Sequence, residues 1–162
     1  MGLWGRSLPA GHGIGFAAHY SFLTYVAMAM HVSVDEGGTL TIHEADCAVD
    51  CGQVVNPDTL MAQMEGATIF GLTGALHGAI TVKDGAVVQG NFHDYPMMRI
   101  GEAPYVNVRI IPSEAAPTGI GEPGVPPALC NVIFAATGKR IRDLPVTGQS
   151  LSLTSAHRTC PT

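Results

Sequence analysis

The residue best placed for chemistry is Glu122, the single carboxylate of Thr118-Gly119-Ile120-Gly121-Glu122-Pro123-Gly124. Glycine opens backbone dihedrals closed to other residues, and proline disfavours the helical region for the residue ahead of it. The carboxylate is therefore expected to be extended on a close-approach loop just before a helix. Held this way and partly desolvated, a carboxylate is less acidic than in water and suits a general base. The bland alternative is a solvated turn glutamate.

A second set, His43, Cys47 and Cys51, has even spacing that would put all three on one face of a continuous strand, with donors that suit a soft metal. Four residues along a strand rise about 13 Å, too far for one zinc ion unless a bulge or turn intervenes. A buried pair of thiols is the better account, and no residue is assigned to a metal. The seven histidines, at 12, 19, 31, 43, 77, 93 and 157, show no HExxH or other ligand spacing and read as structural or exposed. Gly11 to Gly15 alternates glycines without the full GxGxxG pattern, so it reads as a flexible lead-in loop and not as a nucleotide site. Lys139, Arg140 and Arg142 form the one basic cluster, and their position suits a helix C-terminus.

These groups need elements to hold them. Residues 1–15 read as an extended lead-in, after which Phe22–Val34 and Leu40–Val49, joined by the Asp35–Gly38 turn, predict an antiparallel hairpin. Asn56-Pro57-Asp58 starts a helix that runs to about residue 75, with Leu60, Met64, Ala67 and Gly71 at helical spacing. Its small residues, among them Gly66 and Gly74, are expected to admit another backbone. Asp84-Gly85 predicts a tight hairpin, and Tyr105–Ile111 alternates as a half-buried strand does. Pro126 and Pro127 open a last helix with an apolar stripe of Leu129, Val132, Ile133 and Ala136, stopped at Gly138. The order predicts an α+β domain over residues 16–146. A mixed or antiparallel sheet of about four main strands would be packed by two helices in the order ββα-ββ-α. Residues 147–162 are Ser/Thr-rich and aperiodic, the pattern of a disordered tail.

Composition narrows the function classes. Of the 162 residues, 46% are hydrophobic, enough for a core, while a net charge of −5 with scattered basic residues excludes a nucleic-acid footprint. Ile14 to Val34 is nearly uncharged but alternates too much for a membrane span, and no basic segment leads into an apolar run after Met1. A cytoplasmic location is expected, with the periplasm as an alternative for a complete enzyme. Cysteines at 47, 51, 130 and 160 make no disulfide framework and fit a reducing compartment. With only 13% charged residues, the chain is expected to pack against something larger than itself.

Three segments carry a resemblance: CAVDCGQVVNPDTLMAQMEGATIFGL from Cys47, NFHDYPMMR from Asn91, and TGIGEPG from Thr118 followed by NVIFAATGKRIRDLPV. In this order they resemble the large molybdopterin-binding subunit of the xanthine dehydrogenase and aldehyde oxidase superfamily of molybdenum hydroxylases. The isoquinoline 1-oxidoreductase beta-subunit branch is the best match, over about Trp4 to Val146. The resemblance implies a molybdopterin cytosine dinucleotide cofactor, and an oxidoreductase that hydroxylates N-heterocycles or oxidises aldehydes with oxygen from water. In such enzymes the Glu of the GEPG-type loop lies beside the molybdenum and takes a proton from the attacking hydroxyl, which makes Glu122 the catalytic base and Gly121 a cofactor-binding position. Electrons leave through iron-sulfur centres on another subunit or domain.

The family's subunit is several times longer than this chain, and the stretch between Gly124 and Asn131 is a few residues shorter than the family pattern. The expectation is therefore a C-terminal domain that binds no cofactor and is inactive alone. Its partners would be the upstream part of its subunit and an iron-sulfur subunit, and in isolation it would self-associate. The alternative is a non-catalytic assembly or oligomerisation module.

Overall fold

Val26, Met28, Met30, Val32 and Val34 recur at every second position, and all five are buried along one face of β2 (Thr24–Val34). Antiparallel neighbours flank β2, with β1 (His12–Ser21) on one side and β3 (Leu40–Asp50) on the other. β6 (Tyr105–Ile110) joins β3 in parallel, so the mixed sheet has the order β1-β2-β3-β6. The structure, a computed structural model, describes residues 7–120 and 124–153. The crossover from β3 to β6 contains α1 (Pro57–Leu76) and the small hairpin β4 (Val82–Lys83) and β5 (Ala86–Val87). The last element is α2 (Val125–Thr137).

Leu60, Met64, Leu72 and Ala75 of α1 share one core with Leu129, Val132, Ile133 and Ala136 of α2 and the inward residues of the sheet. Both helices thus cover the same sheet face, as expected for an α+β domain. The opposite face carries Phe16, Tyr20, Tyr25 and Tyr105, all exposed. Local signals held where they were strong. Asn56 accepts a hydrogen bond from Thr59 N at 3.1 Å as the cap of α1, and Gly138 ends α2 with φ 75°. Asp84 and Gly85, at φ 52° and 79°, make the tight turn between β4 and β5.

Four expectations need correction. Three strands precede α1, because β1 begins at His12, inside the stretch read as a lead-in. Gly13 and Gly15 are not loop markers but contact positions. A Cβ on Gly13 would lie 2.6 Å from Ala136 N, and one on Gly15 2.2 Å from Val132 N, so glycine is what lets α2 lie against β1. Second, a Cβ added at Gly66 or Gly74 would meet none of the described residues within 4 Å, so the backbone they were expected to admit is not among these elements. Third, Leu151 is buried and Lys139 Nζ donates to Ser150 O at 2.8 Å, so residues 147–153 pack back on the domain before the remainder, 154–162, leaves the described residues. Fourth, Lys139 and Arg140 serve contacts and not only a helix end: Arg140 stacks on Phe134 at 3.8 Å and donates to Asn131 Oδ1, whose amide donates to Phe16 O on the edge strand β1.

Candidate active site

The loop before α2 is hydrogen-bonded to the start of β2 where it begins and packs against β1 where it ends. Thr24, the first residue of β2, is 1% exposed, and its hydroxyl donates to Gly119 O at 2.6 Å. Its Oγ1 is also 2.7 Å from Thr118 Oγ1. A hydroxyl has one proton, so Thr24 accepts from Thr118 while it donates to Gly119. The chain reaches this point tied to the end of β3, through Gln53 N to Ala115 O at 2.9 Å and Thr118 N to Cys51 O at 2.9 Å. Gly52, at φ 75°, is required there, since a Cβ would lie 2.2 Å from Ala116 O. On the return side, Gly124 sits against β1, where an added Cβ would be 3.3 Å from His19 Cβ and 3.8 Å from Ala17 Cβ. Gly121 and Glu122 lie between these anchors and outside the described residues.

The β1–β2 turn beside these contacts is strained. Phe22 and Leu23 have φ of 51° and 65°, a left-handed pair that costs about 1–2 kcal/mol per residue for side chains of this kind. They are also 71% and 68% exposed. Two bulky apolar residues forced into this geometry and left bare beside a glycine-rich loop mark a contact surface. Sequence reading missed them because neither Gly nor Asn punctuates the turn. Next to it, the Tyr20 and Tyr25 rings, with centroids 4.4 Å apart, border a shallow cleft of about 350 Å³ that also includes His19, Asp50 and Ile111.

Residues 8–104 match the family model described as the molybdopterin cofactor-binding domain. The chain belongs to this family. Isoquinoline 1-oxidoreductase subunit beta of Brevundimonas diminuta is 37% identical over 147 residues, covering 87% of this chain and 19% of that protein. A membrane-bound aldehyde dehydrogenase of Gluconacetobacter polyoxogenes, named for pyrroloquinoline quinone, is 36% identical over 152 residues, covering 88% of this chain and 20% of the relative. The chain thus spans about a fifth of the length of these curated relatives. In fold it is similar to the crystal structure of quinoline 2-oxidoreductase from Pseudomonas putida 86. The TM-score is 0.63 at 20% identity, over 70% of this chain and 16% of that one.

The described residues show no set of unpartnered buried polar groups waiting for a cofactor. No buried side-chain nitrogen or oxygen among the described residues lacks a partner. Pro126 and Pro127 remove two of the N–H groups that the first turn of α2 would otherwise turn toward a phosphate.

The thiols of Cys47 and Cys51 lie in the core. Cys47 and Cys51 are buried and free, as expected for structural thiols, and burial pushes the Cys47 thiol up to about 12. His43 does not share their face. A bulge breaks the β2–β3 register, with His31 opposite Glu44 and Val32 opposite Ile42, so His43 is the extra residue and points away from the core that receives Cys47.

Proposed function

We propose that this chain is the C-terminal domain of a molybdenum-cofactor-dependent hydroxylase that acts on N-heterocycles or aldehydes, with Glu122 as its general base. The observation that carries the reading is that Thr24 of β2 holds Thr118 and Gly119 on one side of Glu122 in the sequence while Gly124 lies close against β1 on the other. General-base catalysis needs a carboxylate presented at a defined place, and fixed ends on both sides of a short segment favour that. Family membership and the isoquinoline 1-oxidoreductase and aldehyde dehydrogenase names of its relatives support the substrate class.

When bound, molybdopterin cytosine dinucleotide supplies the two-electron redox chemistry. This chain supplies placement and proton transfer. Converting a C–H to a C–OH with water releases two electrons and two protons, and a carboxylate oxygen of Glu122 takes one proton from the oxygen nucleophile as it attacks carbon. The two electrons pass to an iron-sulfur partner subunit. Gly121 lets the cofactor approach the backbone, Thr24 fixes the loop through Thr118 and Gly119, and Phe22 and Leu23 stand beside the loop as an apolar wall. The remaining cofactor contacts come from the upstream part of the subunit, so the chain alone is silent.

In the complete enzyme with this chain in place, we expect about one molybdenum per subunit and release of cytidine monophosphate on acid hydrolysis. Pyrroloquinoline quinone in place of molybdenum would overturn the cofactor reading, and aldehyde oxidation by the isolated chain would overturn its dependence on the upstream region.

A second reading, assembly through bare surface, is favoured by one set of observations. Tyr25 and Tyr105 on the open sheet face and Phe70 on α1 are 62%, 70% and 65% exposed among the described residues, and a Cβ added at Gly66 or Gly74 of α1 would meet none of them within 4 Å. These surfaces fit the upstream part of the subunit in the enzyme and drive homo-oligomer formation in isolation. Light scattering on the isolated chain should show dimers or larger species, and a clean monomer at high concentration would contradict it.

A further inference from the structure

We propose that His12, His31 and His43 form a three-imidazole site for a divalent transition-metal ion of the zinc type, a reading that does not rest on the chemistry of Glu122. The three residues come from three adjacent strands and meet on the open face of the sheet at the end away from the loop anchors. His12 pairs with Ser33 and Ile14 with His31, so His12 and His31 are diagonal neighbours on one face. His43 is the residue that the β2–β3 bulge leaves over, and the bulge turns it outward beside them. From Thr24 to His31 the hairpin rises about 23 Å, which separates this cluster from the active-site loop.

One donor atom from each ring lies within 4.8 Å of the others. His12 Nδ1 and His31 Nε2 are already 3.1 Å apart. Two nitrogens bound to one zinc at about 2.0–2.1 Å each are separated by about 3.4 Å, so small side-chain rotations close the site. The donor set selects the metal. Neutral imidazoles suit zinc, copper and nickel, and the nearest thiol in the sequence, Cys47, is buried on the opposite face. Asn107 Nδ2 donates to the adjacent Glu44 at 2.7 Å and holds that carboxylate toward β6. Three imidazoles with a fourth position left to water match the coordination number that zinc prefers. Ser33 Oγ, 2.7 Å from His43 Nε2, supplies an outer hydrogen-bond partner of the kind that orients metal-binding imidazoles. A bound ion would clip β1, β2 and β3 together where β1 enters the sheet.

The test is titration of the full 162-residue chain, freed of metal with a chelator, with zinc and with cobalt(II) as a spectroscopic probe. Expected is one ion per chain, a cobalt spectrum without a thiolate charge-transfer band, and a higher unfolding midpoint in zinc. His31→Gln and His43→Gln should each weaken binding by about 100-fold or more and Ser33→Ala by about 10-fold, while His93→Gln leaves it unchanged. His43 is exposed, so His43→Gln carries the test alone should His31→Gln fail to fold. No binding by the unmodified chain, a thiolate band, or binding undisturbed by His43→Gln would each overturn the proposal.

Discussion

The two ends of the β1–β2 hairpin solve the same problem in opposite ways. At the turn end, one carboxylate is announced by its sequence, Gly-Glu-Pro-Gly, and the fold bonds the residues ahead of it, Thr118 and Gly119, to β2. At the far end, three histidines separated by 19 and 12 positions have no local pattern, and only strand pairing and a bulge bring them together. A motif written within seven residues can be read before the fold is known, while one written across three strands appears only with the register.

The largest effect on this pair of sites is expected between them, at Gly15. Gly15→Ala would force a Cβ into the backbone of α2 at Val132 and push the helix off β1, moving Gly124 with it. A loss of about 3 kcal/mol is expected, read from the urea midpoint at unchanged slope. An unchanged midpoint would mean that α2 does not hold the loop to the sheet. Thr24→Val removes both hydroxyl bonds of the anchor and leaves Thr118 and Gly119 O unpaired, for about 1–3 kcal/mol. The same substitution should lower kcat of the complete enzyme and leave zinc binding by the histidine cluster intact, so a parallel loss at both ends would erase the distinction between them.

Leu23→Asn relieves a left-handed leucine and should stabilise the chain by about 0.5–1 kcal/mol. If the exposed side chain serves the reaction, the more stable variant will also be the slower enzyme. At neutral pH the smallest effect belongs to Cys47. Its thiol is pushed up to about 12 from 9.0 by burial, so the unfolded chain loses this proton first. The contribution is constant below pH 9, and stability falls between pH 9 and about 12 as the unfolded state ionises. Cys47→Ala should flatten that alkaline limb in pH-dependent urea unfolding.

How much of this was legible follows from how local each signal was. Asn56 as a cap, Gly138 as a stop and Asp84-Gly85 as a turn each act within four residues, and each appears where the sequence places it. β1 was hidden because Gly13 and Gly15, which weaken any strand pattern, are required by a helix about 120 residues later. The bulge at His43 was hidden for the same reason. Its cause lies in the β2 register, and without it His43, Cys47 and Cys51 would fall on one face. The Phe22-Leu23 turn went unseen because its residues contradict their own backbone preference, as happens where a surface is kept for contact. In the loop before α2 the carboxylate and the glycines were readable, but Thr24, which bonds Thr118 from 94 residues away, was not.

The central claim is that Glu122 acts as a base, and the most direct measurement is the turnover of a Glu122→Gln variant in the complete enzyme, with its molybdenum content determined in the same preparation. Glutamine keeps the size of the side chain and removes its basicity. The account predicts a fall in kcat of about 100-fold to 10,000-fold with full metal loading and an unchanged unfolding midpoint. A fully loaded variant that turns over at the rate of the unmodified enzyme would return Glu122 to the role of a solvated turn residue.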